Sequence, residues 1–155
     1  MAYVRLDKIK PTAHIESFVF TDDDLKNGQF ISVGEKLPEF GGEVVKVAKA
    51  TTAEEAEAIV TTVHGVYASN QLDFDIMSEV TKAGEVGRAH VIEKGDVISF
   101  AVEADKVSQF KPGEGVTIGE DGFGVKPAGE GDAIGTVQAI EFLNNIGDLV
   151  VVRFK

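Results

Sequence analysis

Residues 113–135 read GEGVTIGEDGFGVKPAGEGDAIG and hold eight of the chain's 17 glycines. Reversals of direction follow one another closely in such a stretch, because glycine takes backbone angles closed to other residues and so serves turns. Short apolar runs, Val116-Thr117-Ile118 and Phe123-Gly124-Val125, flank Asp121-Gly122, a dipeptide that favours a two-residue hairpin corner. The stretch predicts a hairpin, and with it a chain that is mainly β. Downstream, Ala133 to Phe142 and Leu149 to Phe154 predict the remaining strands of a Gly-rich meander over 108–155. The last is nearly all apolar and so should be central in its sheet.

Working outward, the same turn chemistry recurs. Gly95-Asp96, Gly131-Asp132 and Gly147-Asp148 each precede an apolar run, a pattern in which Gly supplies the unusual angle and Asp caps the turn that opens a strand. After Gly95-Asp96, the alternation of Ile98, Phe100 and Val102 with Ser99 and Ala101 predicts a half-buried strand. An internal match joins Leu25–Glu35 to Phe110–Glu120, with Lys, Gly, Gly and Glu identical; it pairs Gly28 with Gly113 and Gly34 with Gly119. Either a duplication or two hairpins under common turn chemistry accounts for it.

Helix signals are few. Thr21 to Gly28 has capping oxygens at one end and Gly at the other, enough for one helical turn. Its three aspartates lack the alternating spacing of a calcium loop. Thr51 with Glu54, or Thr52 with Glu55, makes a capping box and predicts a short helix near 52–60, which the β-branched run from Ile59 to Val63 should end. At the N-terminus, Pro11 interrupts any helix and no period persists, so 1–20 is expected to be an extended arm, as an edge strand or a flexible tail. Arg5, Lys8 and Lys10 against Asp7 give residues 1–15 a net +2, leaving −13 on the rest of a chain at −11. The expected organisation is this arm, a β-rich body over 21–107, and the 108–155 meander packed with the body as one unit. The fold class is mainly β with one or two short helices, a compact β-sandwich or β-tulip-like body with an extended N-terminal arm.

Composition narrows the function. A chain of 155 residues with 43% hydrophobic and 26% charged residues is long enough for one ordinary folded domain. No run approaches the ~18 apolar residues of a membrane span, and the first residues lack the pattern of a secretory signal. With Cys 0, disulfides, thiolate catalysis and Cys-based zinc sites are impossible. A net −11 argues against a nucleic-acid partner, since phosphate binding rests on Lys and Arg. Trp 0 and two Tyr against ten Phe leave little amphipathic aromatic surface for stacking sugars or bases. His14, His64 and His90 lie far apart at no metal-ligand spacing. No nucleophile elbow, zincin or Walker pattern occurs, and no carboxylate pair stands out as general acid and base. The expectation is a protein that is not an enzyme and takes no cofactor and no metal.

Two resemblances attach to particular residues. Glu103-Ala-Asp-Lys106, following Gly95-Asp96, resembles the lipoyl and biotinyl carrier domains, which would imply a modified Lys106 at a hairpin tip. The Asp96-to-Lys106 distance is one residue too long for that hairpin, and the bland reading is a polar link between two strands. The stretch Phe110-Lys-Pro-Gly-Glu-Gly-Val-Thr-Ile-Gly-Glu-Asp-Gly-Phe-Gly-Val-Lys-Pro127, with Gly131-Asp-Ala-Ile-Gly-Thr-Val137 and Gly147-Asp-Leu-Val-Val-Val-Arg-Phe154, resembles the head-decoration, or capsid cement, proteins of tailed bacteriophages. The middle, from Ala83 to Val102, is similar more loosely. That resemblance implies a structural virion protein, often a homotrimer, made in the host cytoplasm and bound to the major capsid protein on the outer surface of the expanded head. A head fibre or tail component is the alternative. On this reading the capsid contact is expected from Tyr3, Arg5, Leu6, Lys8, Ile9 and Lys10, as an arm that adds a strand to a capsid edge.

Overall fold

The computed structural model describes residues 2–62, 77 and 79–155; His64 and Val63 lie outside them. Its strands are β1 (Val4–Lys8), β2 (Ile15–Val19), β3 (Leu25–Lys26), β4 (Phe30–Lys36), β5 (Val44–Lys49), β6 (Ala58–Val60), β7 (Val80–Thr81), β8 (Val86–Val91), β9 (Val97–Ala101), β10 (Gly115–Ile118), β11 (Val125–Pro127), β12 (Gly135–Leu143) and β13 (Gly147–Phe154). They form a closed barrel in the order β2-β5-β4-β6-β8, a six-stranded sheet in the order β1-β9-β13-β12-β10-β11, and a ribbon of β3 with β7.

Alternation along the barrel strands builds two cores. A strand points successive side chains to opposite faces. Thus Ile31 on β4 and Ala58 and Val60 on β6 turn into the barrel to join Phe18, Val45, Val47 and Ala89. Their neighbours Phe30 and Ile59 turn outward, into a second core shared with Ile98, Phe100, Val150, Val152 and Phe154 of the sheet. Phe30, Phe100 and Phe154 meet there with ring centroids 5.8, 6.3 and 6.4 Å apart, in the offset and tilted arrangements that aromatic quadrupoles favour. Barrel and sheet are therefore layers packed over this second, shared core.

The Asp121-Gly122 corner forms as expected. Ile118 pairs with Val125, the Gly119 N–H donates to Gly124 O at 2.9 Å, and the Phe123 N–H donates to Glu120 O at 3.0 Å, leaving two residues at the tip. Asp121 has φ 53° and Gly122 φ 74°, the paired positive angles of a hairpin turn whose twist matches its strands. β13 is central as expected, between β9 and β12, with Leu149 to Val152 and Phe154 buried. The meander is only partial: β12 returns to pair with β10 rather than β11, at Gly115 with Thr136 and Val116 with Gly135. β11 is left at the sheet edge.

Four further expectations change. Near 52–60 there is one turn, closed by the Glu55 N–H on Thr52 O at 3.2 Å, and then strand β6. A cap forms, but between Thr51 of one expected box and Glu55 of the other, for the Thr51 N–H donates to Glu55 Oε2 at 3.2 Å. Pairing of β6 with both β4 and β8 buries Ala58, Ile59 and Val60 completely and overrides it. Thr21–Gly28 likewise carries β3 instead of a helical turn. β9 is not half-buried, because Val97 and Ser99 on its second face are covered as well. Finally, 1–20 is not separate from the body: β1 pairs with β9, β2 pairs with β8 and β5, and Phe18 fills the barrel. Of the segment's two strands, β1 lies at a sheet edge, one of the two forms expected, and β2 lies within the closed barrel.

The 25–35 and 110–120 segments share their turn. The Gln29 N–H donates to Lys26 O and the Glu114 N–H to Lys111 O, each at 3.1 Å, with Gly28 at φ 93° and Gly113 at φ 91°. The strands that follow go to different layers, β4 to the barrel and β10 to the sheet.

Candidate functional site: the outer face between β1 and β12

On the sheet face turned away from the barrel, β1 and β12 border a cavity of about 510 Å³ lined by Arg5, Asp7, Lys8, Val97, Gln138, Ala139, Glu141 and Val151. Strand register explains the lining, since Arg5 pairs with Ser99, Ser99 with Val151, and Val151 with Ala139, so all four share one face. The floor is apolar and the walls are charged.

Arg5 organises the walls. Its guanidinium pairs with Asp7, reaches Glu141 Oε2 at 2.6 Å and donates to Ser99 Oγ at 3.3 Å, while the Ser99 hydroxyl donates to the second Asp7 oxygen. The hydrogen bonds to Glu141 and then Asp7 raise the Arg5 pKa above its ordinary value, so its charge is fixed across the accessible range. Lys8 is exposed beside this network. Asp7 shares the face of Arg5, two residues before it, and meets Ser99 there; the register shift between Leu6 and Lys8 marks a bulge that brings Lys8, opposite Val97, onto the same face.

The six arm residues do not converge. Arg5 and Lys8 share the cavity, whereas Leu6 pairs with Ile98 on the opposite, core-side face. The Tyr3 carbonyl accepts the Ala101 N–H at 3.0 Å, Ile9 is half-buried, and Lys10 is ion-paired to Glu93, which raises the lysine pKa. Of the expected turn residues, Gly28, Gly95, Gly113, Gly122 and Gly147 adopt positive φ, and so does Asp121; Gly34, Gly119 and Gly131 do not. Gly34 lies inside β4, and Gly131-Asp132 precede β12 by several residues. Asp148 opens β13 half-buried opposite Phe142.

Asp96 has a larger role than capping a turn. Its Oδ2 accepts the Glu93 N–H at 2.9 Å and lies 3.0 Å from His90 Nε2, with the two side chains 4% and 2% exposed. The His90 Nδ1 is buried without a partner among the described residues. Nothing in the spacing of histidines announces this pair; the available signal is a polar residue inside the apolar run Ala89-His-Val-Ile92. Ser99, fully buried between Ile98 and Phe100, carries the same kind of signal.

Lys106 does not stand at a hairpin tip. β9 and β10 on either side of it do not pair with each other, and it is bound to Glu103 at 2.7 Å in a link that runs into a 3-10 turn at Val107–Gln109. The geometry of a carrier domain is not formed. Among the described residues no group of three or more His, Asp or Glu is placed to hold a metal ion.

No family model matches the chain, and no curated protein matches it. Among solved structures, the N base of the head fibre gp8.5 of bacteriophage phi29 is similar, with a TM-score of 0.48 and 12% sequence identity over 92% of this chain and 95% of that one.

Proposed function

We propose that this chain is a structural protein of a tailed-phage virion that binds the outer surface of the head and stabilises the expanded shell. The observation that carries the reading is the turn-and-strand pattern of 110–155, whose quoted residues form the units the resemblance requires. These are a strand over Gly115–Ile118, the Asp121-Gly122 corner, a short strand ending at Pro127, and the long β12–β13 hairpin. The body suits a mechanical role: barrel and sheet share one aromatic core, so a load on either layer is borne by both.

The face between β1 and β12 is the surface proposed to meet the major capsid protein. It holds Arg5 and Lys8, two of the cations in the N-terminal segment of an otherwise acidic chain, next to an apolar floor. Asp7 and Glu141 balance the two cations, so this face carries no net charge while the rest of the chain is acidic, and its apolar floor can meet a partner without the repulsion that the acidic remainder would bring.

Mixing the purified protein with expanded, undecorated heads tests the proposal. Saturable occupancy repeated over the whole lattice is expected, with a higher temperature of head disruption. Absence of binding rejects the function. Attachment of a few copies at special positions, seen by imaging, identifies a head fibre or tail part instead.

A further inference from the structure

We infer that the free edge of β12, residues 138–143, is a strand-acceptor site for an extended segment of the partner chain; this rests on the proposed binding to a shell protein. β12 is nine residues long and pairs with β13 along most of that length. On its other side β10 covers only the beginning, through Gly135, Thr136 and Val137. Among the described residues nothing pairs with that side from Gln138 to Leu143. An uncovered strand edge presents a row of backbone donors and acceptors, which is a template for another strand.

The other two edges of the sheet are protected and this one is not. β1 carries a bulge at Asp7, the charge of Lys8 and then Pro11. β11 is three residues long and holds Lys126 and Pro127. Bulges, lysines, prolines and shortness are the devices that keep edges from pairing. The run Gln138-Ala139-Ile140-Glu141-Phe142-Leu143 has no Lys and no Pro. Its exposed side chains include Ile140, 38% accessible, and Phe142, 65% accessible, two of the large apolar residues the fold leaves uncovered. Both lie on one face, because they alternate along the strand.

The same residues state the chemistry of the occupant. An added antiparallel strand would take its affinity from the backbone and its specificity from alternate side chains. Apolar side chains on one face would cover Ile140 and Phe142. The opposite face would lie beside Glu141, which alternation places away from Ile140 and Phe142, so neutral or cationic residues fit there. A second copy of this chain would bring a body at −11 against another at −11, which charge disfavours. The occupant is therefore an extended segment of a different, more basic protein, with apolar residues at every second position. Gln138, Ala139 and Glu141 also line the cavity with Arg5 and Lys8, so the edge and the proposed capsid-facing surface are continuous.

Two measurements test the site on the full chain. Hydrogen exchange is followed with and without a short synthetic peptide of alternating Val and Lys. Protection is expected at the amides of 138–143 and not at those of 4–8 or 125–127, and Ile140→Lys should abolish it. On undecorated heads, Ile140→Lys and Phe142→Lys, both at exposed positions, should lower apparent affinity about tenfold or more, as loss of a central apolar contact does. Circular dichroism identical to wild type would show that the variants fold. The inference is overturned if the peptide protects no residue of 138–143, if it protects β1 or β11 equally, or if both variants decorate heads as wild type does. Self-association through 138–143, seen as a concentration-dependent dimer lost in Ile140→Lys, also overturns it. If the wild-type protein binds no heads, the proposed function fails and the peptide measurement alone decides the edge.

Discussion

Phe18 and Gly87 face each other across the β2–β8 ladder, and the phenyl ring occupies the space that a side chain at 87 would need. A Cβ built on Gly87 stands 2.5 Å from Phe18 Cζ and 2.9 Å from Thr62 Oγ1. Phe18 is fully buried inside a narrow barrel and has nowhere to move. Gly87→Ala is expected to destabilise the protein by about 1–3 kcal/mol through overpacking. Urea unfolding measures it, and an unchanged midpoint would contradict the packing described.

The Phe30, Phe100 and Phe154 cluster predicts how the layers unfold. Phe100 belongs to the sheet and stacks on Phe30 of the barrel at 5.8 Å, so one substitution removes contacts from both. Phe100→Ala should cost about 3–5 kcal/mol. Because the core is common, calorimetry should still record one transition at a lower temperature. Separate melting of barrel and sheet would mean that the shared core does not couple them.

Local chemistry is what was legible in the sequence. Asp121-Gly122 specifies its own corner through two adjacent positive φ angles, and Leu149 to Phe154 specifies a central strand through unbroken apolarity. Both signals are contained in a few neighbouring residues. The helix expected near 52–60 failed because pairing with β4 and β8, set by residues far along the chain, outweighs one satisfied cap. The half-buried reading of β9 failed for the same reason, since Arg5 and Asp7 from the N-terminus cover Ser99. Of the candidate site, the cations of the N-terminal segment could be picked out by charge. Glu141, which holds Arg5 from across the sheet, and the free edge of β12 depend on strand order, which composition and spacing do not encode.

Removal of Asp96 tests the buried pair. Among the described residues His90 would lose its partner at Nε2, with Nδ1 already lacking one, and the Glu93 N–H would lose its acceptor. A buried polar group left without its partner is the costly case, so Asp96→Ala should destabilise by about 3–5 kcal/mol. His90→Leu in that background should restore part of the loss, because it removes the stranded imidazole. Strictly additive effects in the double-mutant cycle would deny that the two side chains interact.

Acid should open the β3–β7 ribbon before the rest. Among the described residues two pairs join there, Leu25 with Thr81 and Lys26 with Val80, and Asp24 anchors the ribbon with Lys82 Nζ at 2.7 Å and the Ala83 N–H at 2.9 Å. The hydrogen bond from Lys82, followed by that from the Ala83 backbone, holds the Asp24 carboxyl below its ordinary pKa. A carboxyl with a lowered folded-state pKa adds stability that is fully present above its unfolded value, about 3.9, and is lost as pH falls through the folded value. Protection factors at Leu25, Lys26, Val80 and Thr81, taken relative to the intrinsic exchange rate at each pH, should therefore fall below about pH 4 while the β12–β13 amides stay protected. Asp24→Asn should show the lower protection already at neutral pH and respond little to acid. Equal loss of protection in the ribbon and in β12–β13 would instead mean that acid acts on the whole fold, through the net charge and not through this anchor.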